Sequence, residues 1–396
     1  MTEHLLEELL AKPVGPAIPA RTTDPERDFT RQVEVTGDVA AVTVRGPQGE
    51  VTEDAAVAHL RAQGLDPSAW VATGFRSSEW TMASGETGVS TRFTFARAGS
   101  AEADRPNLDE LFSAIKPYEG LLHENRPTGD HGFIVALGDM QFGKIDGDGV
   151  EGTLNRTIDC LNKAADLLCE YQSRFDIGHV HIAWLGDHIE GFQSQGGANV
   201  WRTPLTLNEQ IRLTRRVMLH ALTTFAPMTG KVSMAAVPGN HGEAVRFVGK
   251  GVTRYDDSHD TESLIAVADA AALNPEAFGH VGFFVPQTDE LTVVLDVAGT
   301  VVAHAHGHQW RAGKHFEWWR GQAFNRSSAM HQADLLLAGH LHHEHVDSDG
   351  PRTFLQPPAM ESESTWWRHA KGTTGAPGLI VAVTKDGQTN IKEVVR

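Results

Sequence analysis

The hydrophobic positions from residue 131 onward form five short and nearly continuous apolar runs. Each run ends in glycine and a polar residue: GFIVALGD, HVHIAWLGD, KVSMAAVPGN, TVVAHAHG and ADLLLAGH. Segments with helical periodicity, 153–175 and 206–225, separate the first three runs. This alternation predicts an α/β core whose strands are buried on both faces. Because ligands in such sheets bind beyond the carboxyl ends of the strands, the glycine–polar pairs are the candidate functional positions.

The first 130 residues have a more polar pattern. A hairpin centred on Gly37, a helix from Thr52 to Gln63 and two further strand-like runs predict a small α+β domain. The segments on either side of this domain are rich in proline or in polar residues. The predicted organisation is therefore a flexible arm at 1–29, an accessory domain at 30–98, a connector at 99–130 and the main domain at 131–396.

Composition restricts the class of protein further. The 396 residues include only two cysteines, so neither a disulfide scaffold nor a cysteine-rich zinc module is expected. The chain has no apolar run of the roughly 18 residues that span a membrane, and its acidic start lacks the basic region of a signal peptide. A net charge of −17 argues against a sequence-blind coat on DNA. We therefore expect a cytoplasmic protein without a membrane partner.

Histidine is the one residue type with an unusual distribution. The chain has 21 histidines, and nine of them fall between residues 304 and 345. Such clustering indicates a metal site, although a group of surface or core histidines is the alternative.

The five strand ends carry residue types that bind divalent ions. They are Gly138-Asp139-x-Gln141, Gly186-Asp187-x-x-Glu190, Gly239-Asn240-His241, His306-Gly307 and Gly339-His340-x-His342. In an extended segment residues i and i+2 point to the same side, so both members of the first and last pairs can face one site. Carboxylate, amide and imidazole donors suit Mn²⁺, Fe²⁺, Zn²⁺ or Mg²⁺. The set is large enough for two ions that share one carboxylate, and Asp187 is the natural bridge.

This ordered set resembles the calcineurin-like metallophosphoesterase superfamily, whose pattern is GD-x-H, GD-x-x-[ED], GNH-[ED], HG and GH-x-H. The resemblance covers 139–342 and, with the supporting strands, 131–396. It implies a β-sandwich core flanked by helices and a hydrolase of phosphate esters that uses two divalent ions, Mn²⁺ before Mg²⁺, Fe²⁺ or Zn²⁺.

The resemblance also implies a role for each residue of the set. The first ion would be held by Asp139, Gln141, Asp187 and His342. The second ion would be held by Asp187, Asn240, His306 and His340. His241 would be the catalytic histidine beside the bridging Asp187.

Two positions depart from the superfamily pattern. Gln141 replaces a histidine, and an amide oxygen favours Mn²⁺ or Mg²⁺ over Zn²⁺ at the first ion. Gly242 and then Glu243 follow His241, so the contact that supports this loop is expected to differ. His304 and His308 alternate with His306, and their role as ligands or as packing residues stays open.

The substrate has to be inferred from basic and aromatic residues near the motifs. The candidate substrate contacts are Lys144, Arg246, Arg311, Trp367 and Arg368. Two Trp-Trp-Arg segments, 318–320 and 366–368, could stack bases and bind phosphates, unless one tryptophan of each pair belongs to the core. Arginines at 212, 215 and 216 share one helix face, which an ordinary solvated face also explains.

These features favour a DNA nuclease similar to the Mre11/SbcD-like enzymes of actinobacterial phages, and DNA is the expected partner. If the chain is phage-encoded, its compartment is the host cytoplasm. A phosphatase or a cyclic nucleotide phosphodiesterase is the alternative, and a non-catalytic scaffold is a third hypothesis. The acidic domain at 30–98 is expected to bind a protein partner or a second copy of the chain.

Overall fold

The computed structural model describes residues 32–47, 52–81, 87–98, 106–120, 127–193, 203–245, 254–325, 328–362, 368–369, 372 and 375–396. By internal contacts the chain divides into two compact units, Met1–Arg105 and Pro106–Arg396. The arm predicted at 1–29 lies outside the described residues.

The described residues of the first unit form a four-stranded antiparallel sheet with one α-helix. Its elements are β1 (Gln32–Thr36), β2 (Val39–Pro47), α1 (Glu53–Ala62), β3 (Trp70–Thr81) and β4 (Thr87–Arg97). The strand order is β1-β2-β4-β3. Helix α1 begins where the pattern predicts, because the Thr52 side chain accepts a hydrogen bond from the backbone N–H of Ala55. Leu60 of this helix is fully buried with Phe93 and Phe95 of β4.

The second unit contains six helices and eleven strands within the described residues. Its helices are α2 (Leu108–Ala114), α3 (Gly149–Gln172), α4 (Leu207–Phe225), α5 (His259–Ala272), α6 (Pro275–Phe278) and α7 (His315–Phe324). Its strands are β5 (His131–Leu137), β6 (Ile177–Trp184), β7 (Lys231–Ala236), β8 (Val281–Phe284), β9 (Val293–Val297), β10 (Thr300–His304), β11 (Leu335–Leu337), β12 (His345–Asp349), β13 (Arg352–Gln356), β14 (Leu379–Lys385) and β15 (Gln388–Val395).

These strands form two sheets that pack face to face. One sheet has the order β15-β14-β5-β6-β7-β8, and the other has the order β12-β13-β11-β10-β9. Strands β5, β6, β7 and β8 run parallel to one another, as do β10, β11 and β13. Strands β14, β9 and β12 pair antiparallel with β5, β10 and β13. The carboxyl ends of β5, β6 and β7 therefore lie along one edge of the first sheet, and those of β10 and β11 along one edge of the second.

The periodicity of β5 explains why this strand is apolar from Phe133 to Leu137. Phe133, Val135 and Leu137 pack with the helices on the outer face of the sheet. Ile134 and Ala136 face the second sheet, where Val302, Leu337 and Leu355 are buried with them. A strand that is covered on both faces has no position for a solvated side chain. The predicted α/β class is confirmed, with a β-sandwich core flanked by helices and a small N-terminal α+β unit.

Helix α2 lies in the stretch that the sequence pattern assigns to a connector. Its Leu111 is 3% exposed and belongs to the core of the second unit. The boundary between the units accordingly falls between Arg105 and Pro106. In the described part of the chain, no helix is both long and apolar enough to cross a lipid bilayer.

Two phenylalanines allow the contribution of the outer core to be measured. Phe225 at the end of α4 is fully buried, whereas Phe324 at the end of α7 is 92% exposed. Phe225→Ala should lower the free energy of unfolding by about 3–5 kcal/mol, because it leaves a cavity in a packed core. Phe324→Ala should change it by less than about 0.5 kcal/mol. Urea unfolding followed by circular dichroism measures both, and equal effects would contradict this packing.

Candidate metal centre

The loops that follow β5 and β6 run side by side. The backbone N–H of Asp139 donates to the carbonyl of Gly186 at 3.0 Å, and the N–H of Gln141 donates to the carbonyl of Asp187 at 2.9 Å. These bonds continue the pairing of the parallel strands beyond their ends. The first two predicted ligand loops are therefore held in fixed register.

Side-chain oxygens connect the remaining loops to this pair. Asp139 Oδ2 accepts the N–H of His340 at 2.8 Å, and Asp187 Oδ1 accepts the N–H of His241 at 2.7 Å. The carbonyl of His306 accepts the N–H of Gly339 at 2.8 Å. All five predicted strand-end segments thus meet in one place, as the sequence predicts.

Backbone conformation marks the same residues. Eight described residues other than glycine have a positive φ, and five of them are predicted ligands: Asp139, Gln141, Asp187, His340 and His342. Their φ angles lie between 43° and 74°. This left-handed conformation costs about 1–3 kcal/mol at a residue that is not glycine and is concentrated at functional sites. The left-handed backbone therefore sets the direction of these five side chains, at some cost in the stability of the fold.

Three side chains form a compact donor cluster. Asp187, His306 and His340 each offer one ligand atom, and these atoms all lie within 4.8 Å of one another. His306 Nδ1 donates to the carbonyl of Leu185 at 2.7 Å, which leaves Nε2 directed at Asp187 Oδ2, 3.0 Å away. Asn240 Oδ1 is buried and has no hydrogen-bond partner in the described part of the chain. The side-chain oxygen of Asn240, the fourth donor of the second predicted ion, is therefore satisfied by no described group.

The charges of these histidines depend on the neighbouring carboxylate. Burial alone lowers the pKa of His306, but the negative charge of Asp187 and a hydrogen bond to it outweigh this effect and raise the pKa to about 9. Burial and repulsion by His306 lower the pKa of His340 to about 4. In the metal-free protein a proton on His306 thus compensates part of the buried negative charge, and a cation would replace that proton.

The donors of the first predicted ion are arranged differently. His342 Nε2 lies 3.3 Å from Asp139 Oδ1, and its Nδ1 donates to Glu361 Oε1 at 2.9 Å. Gln141 Oε1, however, accepts a hydrogen bond from Lys144 Nζ at 3.0 Å. The same ammonium lies 3.2 Å from Glu361 Oε1. The sequence places Lys144 among the substrate contacts, and its ammonium instead binds the centre's own side chains.

Asp260 supports the centre but belongs to none of the five sequence motifs. This fully buried carboxylate at the start of α5 accepts the backbone N–H groups of Asp187, His188 and Gly239 at 2.9–3.0 Å. A Cβ on Gly242 would stand 2.2 Å from Asp260 Oδ2. The glycine that follows His241 therefore leaves room for an acid from another part of the chain.

His241 is oriented by Glu190. Its Nδ1 donates to the carbonyl of Glu190 at 2.9 Å and lies 3.4 Å from the Glu190 carboxylate. Burial lowers the pKa of His241, but Asp187 and Glu190 outweigh burial and raise it to about 9. The bond at Nδ1 leaves Nε2 as the nitrogen that can exchange a proton with a ligand.

His304 is a core residue and not a ligand. Its Nδ1 donates to the carbonyl of Val293, and its Nε2 lies 2.7 Å from His181 Nε2. His181 Nδ1 and His179 Nε2 both contact Ser233 Oγ, at 2.8 and 2.7 Å. One set of neutral tautomers satisfies this whole row, and burial lowers the pKa of His179 and of His304 to about 4.

His308 remains close to the centre. Its ring lies 5.4 Å from the ring of His306 and 6.2 Å from that of His340, measured between centroids. The structure brings it to the edge of the donor cluster without making it a member.

The predicted substrate contacts are only partly described. Arg311 and Arg368 are exposed, and Arg246 and Trp367 lie outside the described residues. In the segment at 318–320 the structure agrees with the alternative, in which one tryptophan of the pair belongs to the core. Trp319 is fully buried, and Arg320 pairs with Asp349.

Trp318 and two arginines of α4 also have ordinary packing roles. Trp318 packs on Trp310 with ring centroids 4.6 Å apart. On α4, Arg212 and Arg216 lie over the ring of Phe112, which supports an ordinary packing role for this stripe.

A second group of possible metal donors lies between α7 and β12. His315, His345 and Asp347 also present donor atoms within 4.8 Å of one another. His315 Nε2 is 3.0 Å from Asp347 Oδ2, and the Asp347 side chain is 46% exposed. A metal-binding experiment on the main centre has to account for this group.

Comparison with known proteins gives distant similarities only. No protein-family model matches the chain, and no curated protein is significantly similar to it. Among solved structures, a phosphoesterase predicted in Streptococcus pneumoniae is 14% identical with a TM-score of 0.27 and covers 65% of this chain and 84% of its own. Vacuolar protein sorting 29 from Cryptosporidium parvum is 14% identical with a TM-score of 0.31 and covers 67% of this chain and 97% of its own. An archaeal phosphodiesterase is 11% identical with a TM-score of 0.31 and covers 66% and 99%.

Similarities at this level of identity and TM-score do not identify a function. The chemistry of the centre has to be inferred from its own residues.

Asp260 can be tested against a matched residue of the same helix. Asp260→Ala removes the acceptor for three backbone N–H groups, so Mn²⁺ affinity should fall roughly 10–100-fold, as for other groups that orient ligands. Asp269→Ala changes an exposed carboxylate on α5 and should leave affinity unchanged. Isothermal titration with Mn²⁺ measures both, and wild-type affinity in Asp260→Ala would contradict the assigned role.

The pKa shifts predict how the metal-free protein responds to pH. The pKa of His241 and of His306 is raised to about 9, and that of His342 to about 10. Unfolded histidines lose their protons near pH 6.5, so the folded state holds extra protons between pH 6.5 and 9. The free energy of unfolding should therefore fall as pH rises through this window, by up to about 1.4 kcal/mol per pH unit for each such histidine.

Denaturant unfolding in EDTA at several pH values measures this slope. Saturating Mn²⁺ should reduce it, because a bound cation replaces the protons. A metal-free protein that becomes more stable between pH 6.5 and 9 would contradict the protonated state of these three histidines.

Proposed function

We propose that the chain is a metal-dependent hydrolase of phosphate esters and that its substrate is a phosphodiester of DNA. The observation that carries the first part is the convergence of five strand ends on Asp187, His306 and His340, with His241 bonded to the same carboxylate. Oxygen and imidazole donors of this kind suit divalent ions of the Mn²⁺, Fe²⁺, Zn²⁺ and Mg²⁺ group. The resemblance of the motifs to calcineurin-like metallophosphoesterases points to the same chemistry.

The donor set of the second predicted ion fits a divalent cation. Asp187, Asn240, His306 and His340 would hold it, and the buried Asn240 oxygen, without a hydrogen-bond partner among the described residues, supports this assignment. A divalent ion at this position supplies a Lewis acid for a phosphoryl oxygen and lowers the pKa of water. Asp139 and His342 stand beside this set, whereas the ligand atom of Gln141 is engaged with Lys144.

His241 would provide the proton for the leaving oxygen. Its ring is fixed by the Nδ1 bond to Glu190, so Nε2 is the exchanging nitrogen. Asp187 favours the protonated form of His241, and a bound cation would weaken that preference and bring the pKa closer to neutrality. A group whose pKa lies near the working pH is an efficient proton donor.

DNA as the substrate rests on basic residues outside the centre. Arg311 is exposed on the loop between β10 and α7, and Arg368 is exposed near the C-terminal strands. Arg246 and Trp367, which belong to the same prediction, lie outside the described residues. Phosphate contacts by arginine and stacking by tryptophan together suit a single strand of nucleic acid.

A small phosphate ester is the second candidate substrate. Two observations favour it: Lys144 is engaged with Gln141 and Glu361, which leaves fewer cations for a long substrate, and the chain carries a net charge of −17. Incubation with Mn²⁺ and either single- or double-stranded DNA oligonucleotides or p-nitrophenyl phosphate separates the candidates. Cleavage of DNA supports the proposal, and rapid hydrolysis of the small ester without cleavage of DNA would contradict its second part.

Variants of two residues test the mechanism. Asp187→Ala should abolish hydrolysis and metal binding at this centre, since it removes the carboxylate that most contacts share. His241→Ala should retain the metal and slow hydrolysis by about 10²–10⁴-fold, the usual contribution of general acid–base catalysis. His331→Ala, at an exposed histidine away from the centre, is the control and should change neither. Full activity of His241→Ala would exclude its role as proton donor.

A further inference from the structure

Lys144 holds an unexpected position for a cation in a predicted metal centre. Its side chain is only 13% exposed, and its ammonium contacts two buried groups, Gln141 Oε1 at 3.0 Å and Glu361 Oε1 at 3.2 Å. Gln141 is 4% exposed and Glu361 is 5% exposed. A lysine of a substrate-binding rim would extend toward solvent, whereas this one is enclosed by the side chains around the first predicted ion.

The contact with Gln141 bears directly on that ion. An amide oxygen is the only atom by which glutamine binds hard cations, and here it already accepts from an ammonium. A divalent ion bound by the same oxygen would lie about 2.0–2.6 Å from it and so at most roughly 5.6 Å from Lys144 Nζ. Two positive groups at that separation repel each other strongly where water is excluded.

The contact with Glu361 fixes the lysine in place. Glu361 Oε1 is shared by Lys144 Nζ and by His342 Nδ1, which lies 2.9 Å away. His342 reaches Asp139 with its other nitrogen at 3.3 Å. The Lys144 ammonium thus completes a chain of side-chain contacts that begins at Asp139, passes through His342 and Glu361, and ends at Gln141. Asp187, His306 and His340 meet as three metal-type donors on the other side of the centre, and the described residues contain no such trio among the donors of the first ion.

We propose that Lys144 supplies the positive charge at the first predicted ion position, and that the centre binds one divalent ion, at Asp187, His306 and His340. This inference rests on the proposed function in one respect, since it assumes that a divalent ion binds the second donor set. It differs from the sequence-based prediction of two ions.

The test counts Mn²⁺ ions on the full chain after equilibrium dialysis, by mass spectrometry of the metal. All proteins carry His345→Ala, which disables the separate group formed by His315, His345 and Asp347. The background protein should bind one ion, Lys144→Arg one, and Lys144→Met two. Lys392→Met, at an exposed lysine of β15, is the matched control and should bind one.

Gln141→His tests whether Lys144, or the replacement of the usual histidine by Gln141, is what prevents binding of a second ion. This variant restores the usual histidine but keeps Lys144, so it should still bind one ion. Electron paramagnetic resonance gives a second readout: one isolated Mn²⁺ shows a six-line signal, whereas two neighbouring ions in Lys144→Met should couple and broaden it.

The outcomes distinguish this inference from the proposed function. Two ions in the background protein, or in Gln141→His, would overturn the role of Lys144 and leave the proposed function intact. One ion in Lys144→Met would also overturn it, because removal of the charge would then have opened no site. No ion in any variant would overturn the proposed function together with this inference. If Lys144→Met does not fold, the counts for the background protein and Gln141→His still decide.

Discussion

Asp187 joins four parts of the second unit through one carboxylate and its own peptide groups. Its side-chain oxygens meet the N–H of His241 and the ring of His306, its carbonyl accepts from Gln141, and its N–H donates to Asp260. A fully buried carboxylate is stable only when it is hydrogen-bonded and its charge is compensated. Each of these contacts comes from a different segment of the second unit, so the geometry of the centre depends on how the sheet edges and helix α5 pack together. The position of Gly239 follows from this constraint, since a Cβ there would lie 2.0 Å from Asp187 Oδ1.

The compensation of buried negative charge explains the rest of the centre. Asp139, Asp187, Glu361 and Asp260 are all buried. Asp260 is neutralised mainly by backbone N–H groups, Glu361 by Lys144 and His342, and Asp187 by histidines whose pKa it raises. On the side of the centre that contains lysine, His342 and Lys144 supply the groups that face the carboxylates of Asp139 and Glu361. The side that contains His306 and His340 keeps a carboxylate and two imidazoles close together, and this is the side that a cation would complete.

Much of this arrangement could be predicted from the sequence, because strand ends in a parallel sheet have a simple signature. Apolar runs that end in glycine and a polar residue predict the edges of both sheets, and the order of the motifs predicts the donor residues. The contributions of Asp260 and Glu361 could not be predicted in this way. Asp260 is 73 residues from Asp187 and appears in the sequence only as an acid in the first turn of a helix. The enclosure of Lys144 and the burial of Trp319 depend on which face of a loop or helix packs inward, which local spacing does not specify.

Phased anomalous scattering from crystals of the full chain soaked in Mn²⁺ tests the central claim most directly. We expect a manganese peak about 2–2.5 Å from Asp187, from His306 Nε2 and from a ring nitrogen of His340, with Asn240 beside it. A protein whose crystals bind manganese elsewhere, or in which Asp187, His306 and His340 lie in separate places, would contradict it.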